Sequence, residues 1–158
     1  MAVIRAFAPD DRDGLADLML ELQRHYRVPE PPREELLGHL RALPPGVEIL
    51  VAAQDRDIVG FAALATLFPG AGLRPQLFLK ELFVAARARK AGVGRRLVAT
   101  AARIALERGC RRIDWTTERT NAPARALYES LGAGVVAEKL VYRLEGAALS
   151  QLAADAAD

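Results

Sequence analysis

Cysteine is nearly absent from this sequence: Cys110 is the single one in 158 residues, so no disulfide can form within the chain. Histidine is almost as scarce, with only His25 and His39. No group of His, Cys and Asp has metal-ligand spacing, so no metal is expected. An excess of one charge is missing too. The formal net charge of +2 is too small for a general nucleic-acid binder, and the arginines lack interleaved aromatics on which bases could stack. The longest apolar run, "IVGFAALATLF", is far short of the roughly 20 residues a spanning helix needs. The opening "MAVIRAFAPDD" reaches acidic residues before a signal-peptide core could develop. These absences predict a cytoplasmic protein with no membrane and no nucleic-acid partner.

What remains is ordinary globular material, 51% hydrophobic and 27% charged, long enough for one domain with a sizeable core. "AVIRAF" alternates as a short strand. "PDD" then supplies a helix start, with Asp10 or Asp11 as N-cap, and Leu15, Leu18, Met19, Leu22 and Tyr26 follow at helical spacing. After "VPEPP" a second helix is expected over residues 34–43, burying Leu36, Leu37 and Leu40. "VEILVAAQ" and "DIVGFAALATLF" form a hairpin across the turn "DRD". "QLFLKELFV" is another strand and leads straight into "ARARKAGVGRRLVATAARIALERG".

The helix in that stretch buries Leu97, Val98, Ala101, Ile104 and Ala105 and ends at Gly109. "RRIDWTT" is a further strand, and Asn121 caps a short helix that Gly132 ends. "GVVAE" and "KLVYRLEG" read as two closing strands. The expected fold is a single α/β domain over residues 1–146. Its mixed, mostly antiparallel sheet is flanked by helices in the order β-α-α-β-β-β-α-β-α-β-β. Residues 147–158 form an Ala-rich tail, a marginal helix or a loose end.

The glycine loop raises the functional question. Gly92 and Gly94 sit among Arg89, Lys90 and Arg95, after a strand and before a helix whose N-terminal amides and dipole suit an anion. A bare Gly-x-Gly is equally a plain strand-to-helix turn with solvated arginines. A dinucleotide fingerprint would need a third glycine where Leu97 stands, and a Walker loop would need Gly-Lys-Ser/Thr. Neither pattern fits.

Arg89-Lys90-Ala91-Gly92-Val93-Gly94 resembles the Arg/Gln-x-x-Gly-x-Gly/Ala pyrophosphate motif of the GNAT superfamily of acyl-CoA N-acetyltransferases. "NAPARALYESLGA", residues 121–133, is similar to that family's second motif. The specific likeness covers residues 77–133 and is nearest the diamine and polyamine branch. It implies a GNAT fold that binds acetyl-CoA as co-substrate. Backbone groups of Leu82, Phe83 and Val84 would meet the pantetheine, and Arg89, Lys90, Ala91, Gly92, Val93, Gly94 and Arg95 the diphosphate. Asn121 and Ala124 would lie near the pantetheine.

The reaction implied is direct attack of a primary amine on the thioester in a ternary complex. It needs a neutral amine, an oxyanion donor and a proton for the thiolate. Tyr128 occupies the motif's tyrosine position and is the expected proton donor. Glu81 is the candidate base and Glu118 a weaker one. In the polyamine branch two adjacent carboxylates stand here, and Lys80 replaces the first. That reversal points to an acceptor with its own carboxylate, an amino acid or related metabolite. His25 and Tyr26, at the end of the first helix, are candidates to line the acceptor pocket. Two other readings stay open: an acyl-CoA-binding regulatory module without turnover, and a protein or peptide amine as acceptor. A homodimer, often built in this fold through the closing strands, is compatible with all of them.

Overall fold

The structure is a computed structural model that describes residues 1–157. They form two compact units, residues 1–127 and residues from 128 onward. The first unit holds a five-stranded sheet in the order β1-β2-β3-β4-β5. Its strands are β1 (Val3–Ala6), β2 (Val47–Gln54), β3 (Asp57–Leu67), β4 (Gln76–Val84) and β5 (Ile113–Trp115), and its complete helices are α1 (Arg12–Tyr26), α2 (Arg33–Arg41) and α3 (Val93–Glu107). Helix α4 (Ala122–Ser130) runs from the first unit into the second, which also carries α5 (Gly146–Ala154). Strands β1 to β4 are antiparallel, and β5 joins β4 in parallel. This is the expected mixed sheet, in the expected order as far as α4.

Successive side chains of a strand point to opposite faces, and β3 uses both. Phe61 enters a core with Leu15, Leu18 and Leu22 of α1, Leu37 and Leu40 of α2, Val51 of β2 and Phe83 of β4. Gly60 faces the other way: a Cβ there would stand 3.1 Å from Val93, 3.2 Å from the Phe83 carbonyl oxygen and 3.3 Å from Leu97. Helix α3 therefore lies on that second face, with Leu97 and Ala101 fully buried beneath it. Its far end is tied to β2 where the two terminal guanidinium nitrogens of Arg108 donate to the Glu48 carboxylate.

Two local signals act through unexpected partners. Asp11 is the N-cap of α1, yet its carboxylate makes no bond to that helix. It accepts two hydrogen bonds from Arg5 at 2.6 and 2.7 Å and one from the Ala8 amide at 2.8 Å. The Arg5 guanidinium holds this buried carboxyl below its ordinary pKa. Strand β5 is only three residues long, and a polar bridge supports it. Gln76 donates to Asp114 at 2.8 Å and accepts from Arg112 at 2.7 Å.

The two closing strands are not formed. Among the described residues, 133–145 contain no strand, and the chain next becomes regular at α5. "GVVAE" and "KLVYRLEG" have the β-branched and aromatic content of strands, but such content expresses itself only against a paired neighbour. Here Val135, Leu140, Val141 and Tyr142 are strongly exposed, Tyr142 at 90%. The tail from residue 147 is helical through Ala154.

The tight seat of α3 gives a stability prediction. Gly60→Ala forces a methyl against a backbone oxygen and two buried side chains, and overpacking of this kind costs about 1–3 kcal/mol. A thermal melt is expected to fall by several degrees, at roughly 2–4 °C per kcal/mol for a chain of this size. An unshifted melt would show that α3 does not bear on β3 as described.

Candidate functional site

The end of β4 is shaped by a bulge. Ala63 pairs with Glu81 and Leu64 with Leu79, which leaves Lys80 as the extra residue. Lys80 is exposed, while Glu81 is half-buried on the Ala63 and Phe83 face, toward α1. Burial raises the Glu81 pKa above its ordinary value. A hydrogen bond from the Leu82 amide and the charge of Lys80 partly oppose this.

Helix α1 stops beside Glu81 because Arg27 takes a left-handed conformation, φ 56°. His25 and Tyr26 stand on its last turn. The His25 ring lies 5.1 Å from the Tyr26 ring and 5.8 Å from that of Phe83. The Tyr26 phenol has its pKa raised, first by burial and then by Glu81, with Glu118 adding in the same sense. A hydrogen bond from the Asn121 side chain and the positive field of Arg89 act against the rise. Glu81, Tyr26, His25, Phe83 and Asn121 thus gather at one place, with Glu118 and Arg89 close enough to act on it.

Asn121 does two things here. Its side-chain oxygen accepts a hydrogen bond from the Ala124 amide at 3.3 Å, the cap read from the sequence, and the same side chain reaches Tyr26. No signal in the sequence links Asn121 to Tyr26, because 94 intervening positions separate them and only the fold brings them together.

The loop after β4 turns sharply. Lys90 (φ 63°) and Gly92 (φ 75°) are both left-handed, a conformation that costs a non-glycine residue about 1–3 kcal/mol and concentrates at functional sites. Glu21 of α1 holds the loop's start, accepting from the Ala86 amide at 3.0 Å and pairing with Arg87 at 3.7 Å. Helix α3 then begins at Val93 with no side-chain cap and no acidic residue in its first turn. An uncapped helix N-terminus flanked by the exposed cations Lys90 and Arg95 fits a phosphate group. Gly94 has another use: a Cβ on it would meet Leu127 at 3.1 Å, so its lack of a side chain seats α4 against α3.

Arg89 behaves differently from its neighbours. Its side chain folds back, donating from Nε to the Val84 carbonyl at 3.0 Å and lying over the Phe83 ring with its guanidinium carbon 5.5 Å from the centroid. Leu82, Phe83 and Val84 close β4, with Leu82 and Val84 half-buried and Phe83 fully so. Tyr128 lies on α4 in the second unit. Among the described residues no group of three or more His, Cys, Asp or Glu could hold a metal ion, and no helix is long and apolar enough to cross a membrane.

Known proteins resemble this chain over most of its length. A D-amino-acid N-acetyltransferase of Saccharomyces cerevisiae is 26% identical over 148 residues, 91% of each chain. An uncharacterized N-acetyltransferase of Bacillus subtilis is 30% identical over 134 residues, 82% of this chain and 87% of its own. Among solved structures, an integron cassette protein from the mobile metagenome of V. cholerae superposes with a TM-score of 0.89. It is 33% identical over 96% of this chain and 97% of its own. The family model for acetyltransferases (GNAT) matches residues 15–133, spanning both motifs and all the residues gathered around Tyr26. The chain belongs to the GNAT acetyltransferase family and is an acyltransferase.

Proposed function

We propose that the protein transfers an acetyl group from acetyl-CoA to the primary amine of a small molecule that carries its own carboxylate, an amino acid or related metabolite. The observation that carries this reading is the meeting of Glu81, Tyr26 and Asn121 beside the end of β4, next to a loop whose backbone suits an anion. The residues that would hold the co-substrate are the backbone of Leu82, Phe83 and Val84, with Ala124 near the same arm. The loop from Arg89 through Lys90, Ala91, Gly92, Val93 and Gly94 to Arg95 would take its phosphates. Acetyl-CoA supplies the activated acyl carbon as a thioester.

Glu81 takes the proton from the acceptor's ammonium, directly or through water, and its raised pKa makes it a better base than an exposed carboxylate. Tyr128 returns a proton to the departing thiolate, a role that rests on its place in the second motif. Lys80 in the bulge speaks against a multiply charged amine, even though the motif resembles the polyamine branch. The yeast relative, named for acetylation of D-amino acids, supports an acceptor with a carboxylate.

Thiol release from acetyl-CoA across a panel of amines tests the reading. Amino acids are expected to be turned over and spermidine to be refused. Efficient spermidine acetylation without any amino-acid turnover would overturn the substrate class, and thiol release with no amine in the panel would favour a binding module.

The two catalytic assignments have separate signatures. Tyr128→Phe is expected to lower kcat about 100-fold, within the usual range for a lost general acid, with acetyl-CoA affinity held within a few-fold. For Glu81 the sign follows from its raised pKa: the base is active when ionised, so kcat/KM falls as pH drops through a value above the ordinary carboxylate range. Glu81→Gln removes that acidic limb as well as lowering the rate. A wild-type-like profile in Glu81→Gln would reassign the base.

A second copy of the chain belongs to the same proposal. Support comes from the residues read as closing strands and from α5, where Val135, Val136, Leu140, Val141, Tyr142, Leu144, Leu149 and Leu152 are all exposed. Stable dimers cover roughly 800 Å² on each partner, and eight exposed side chains of this size are of that order. Sedimentation velocity is expected to give twice the chain mass, reduced to a single mass by Val141→Lys with Tyr142→Lys. A wild-type monomer at tens of micromolar would overturn it.

A further inference from the structure

Between Val84 and Val93 the chain leaves the sheet and turns to start α3. Short bonds hold its first stretch from within: the Ala88 amide donates to the Ala85 carbonyl at 2.9 Å, and Nε of Arg89 to the Val84 carbonyl at 3.0 Å. The flanking strand and helix aside, the hydrogen bonds and ion pairs that reach residues 86–92 gather at one place, among the described residues. Glu21 of α1 accepts from the Ala86 amide at 3.0 Å through Oε1, and its Oε2 lies 3.7 Å from a terminal nitrogen of Arg87. The other terminal nitrogen of Arg87 stands 3.7 Å from Asp57, the first residue of β3.

A carboxylate is an unexpected neighbour for a loop that suits an anion, since it repels the phosphates that Lys90 and Arg95 would attract. The loop's strain gives it a use. Lys90 and Gly92 are left-handed, and such conformations persist only where the surrounding structure over-determines them. The far end of the loop is fixed by α3, which packs on Gly60 through Val93 and Leu97. The near end is fixed by Glu21.

We propose that Glu21 is a positioning residue for the co-substrate: by holding the Ala86 amide it sets the entry of the loop whose later amides face the diphosphate. Arg87, pinned between Glu21 and Asp57, is the counter-ion of that carboxylate and leaves the phosphates to its neighbours. Both statements rest on the reading that this loop takes the phosphates of acetyl-CoA.

Of the two contacts that Glu21 makes, the amide bond carries the role. A hydrogen bond to an ionised acceptor is roughly twice as strong as a neutral one. The pair with Arg87 is long, and the Arg87 side chain is 54% exposed, a setting in which ion pairs contribute little. Helix α1 is a firm support for the anchor, because Leu15, Leu18 and Leu22 seat it in the core.

The test measures CoA binding by titration calorimetry, so it does not depend on turnover, and its variants separate reach from charge. Glu21→Ala removes the acceptor and is expected to raise Kd for CoA about tenfold. Glu21→Gln keeps a carbonyl oxygen at the same reach and is expected to stay within about threefold of wild type. Glu21→Asp keeps the charge but falls one methylene short, so it is expected to weaken binding more than Glu21→Gln does. Glu21→Gln combined with Arg87→Gln is expected to match Glu21→Gln alone within about twofold. Hydrogen exchange of the Ala86 amide, measured without CoA, gives a second readout. Protection is expected in wild type and Glu21→Gln and its loss in Glu21→Ala, a local change that general destabilisation would spread along the chain. Wild-type affinity in Glu21→Ala overturns the proposal, as does tighter binding by Glu21→Asp than by Glu21→Gln. A larger loss in the double variant would make Arg87 a phosphate ligand and overturn its place as counter-ion. A wild type that binds no CoA sinks the reading of the loop itself, whereas one that binds CoA with Ala86 unprotected sinks the role of Glu21 alone.

Discussion

How closely α3 can lie against β3 controls everything placed beyond the fourth strand. Val93 and Leu97 reach the sheet only because Gly60 offers no side chain, and the Phe83 carbonyl closes the same gap from β4. That contact sets the height of the first turn of α3 above the sheet. The loop between Val84 and Val93 must then turn within a few residues, and Lys90 and Gly92 accept left-handed conformations to do so. The geometry of the loop is in this sense a consequence of packing: a helix held this near a strand end leaves the chain no gentler path.

The same strand end is used from its other face. Alternation sends Phe83 and Glu81 toward α1 while Leu82 and Val84 remain on the α3 side. The bulge at Lys80 keeps this arrangement from continuing up β4, because Leu79 and Leu77 now share the α3 face and are fully buried. A carboxylate thus sits at the one place in β4 where the ladder is interrupted and a side chain can be half-covered without being sealed in. Helix α1 contributes by ending there. Arg27 stops it one residue beyond Tyr26, so His25 lies against Phe83 with Tyr26 beside it.

What the sequence made legible follows the range of the interactions. The N-cap at Asn121, the helix after the glycine loop, the β2–β3 hairpin and the turn at Gly92 depend on residues within a few positions of one another, and all are where their patterns put them. Gly94 is in the motif, but its contact with Leu127 is tertiary and has no local mark. Asp11 is a good cap by type, yet Arg5 outcompetes the helix amides because two charged hydrogen bonds are stronger than one neutral donor. The closing strands failed for the same kind of reason. Alternating apolar residues state a willingness to pair, and among the described residues nothing pairs with them. Of the site, the motif positions were readable, while the link from Tyr26 to Asn121 and the fold-back of Arg89 were not, since each joins groups that only the completed sheet brings together.

The electrostatics of Glu81 show why the surroundings of a carboxylate proposed as a base matter as much as its identity. Burial against Phe83 and α1 favours the neutral acid, while the Leu82 amide and Lys80 favour the anion. Deeper burial alone would leave the group protonated and unable to accept from an ammonium. Full exposure would leave it ionised but too weak a base to matter. Lys80 is placed to hold this balance without occupying the site, because the bulge leaves its side chain exposed while its charge is still felt by the carboxylate next to it in the chain. The cation that departs from the polyamine-like pattern therefore acts on the charge state of its neighbour.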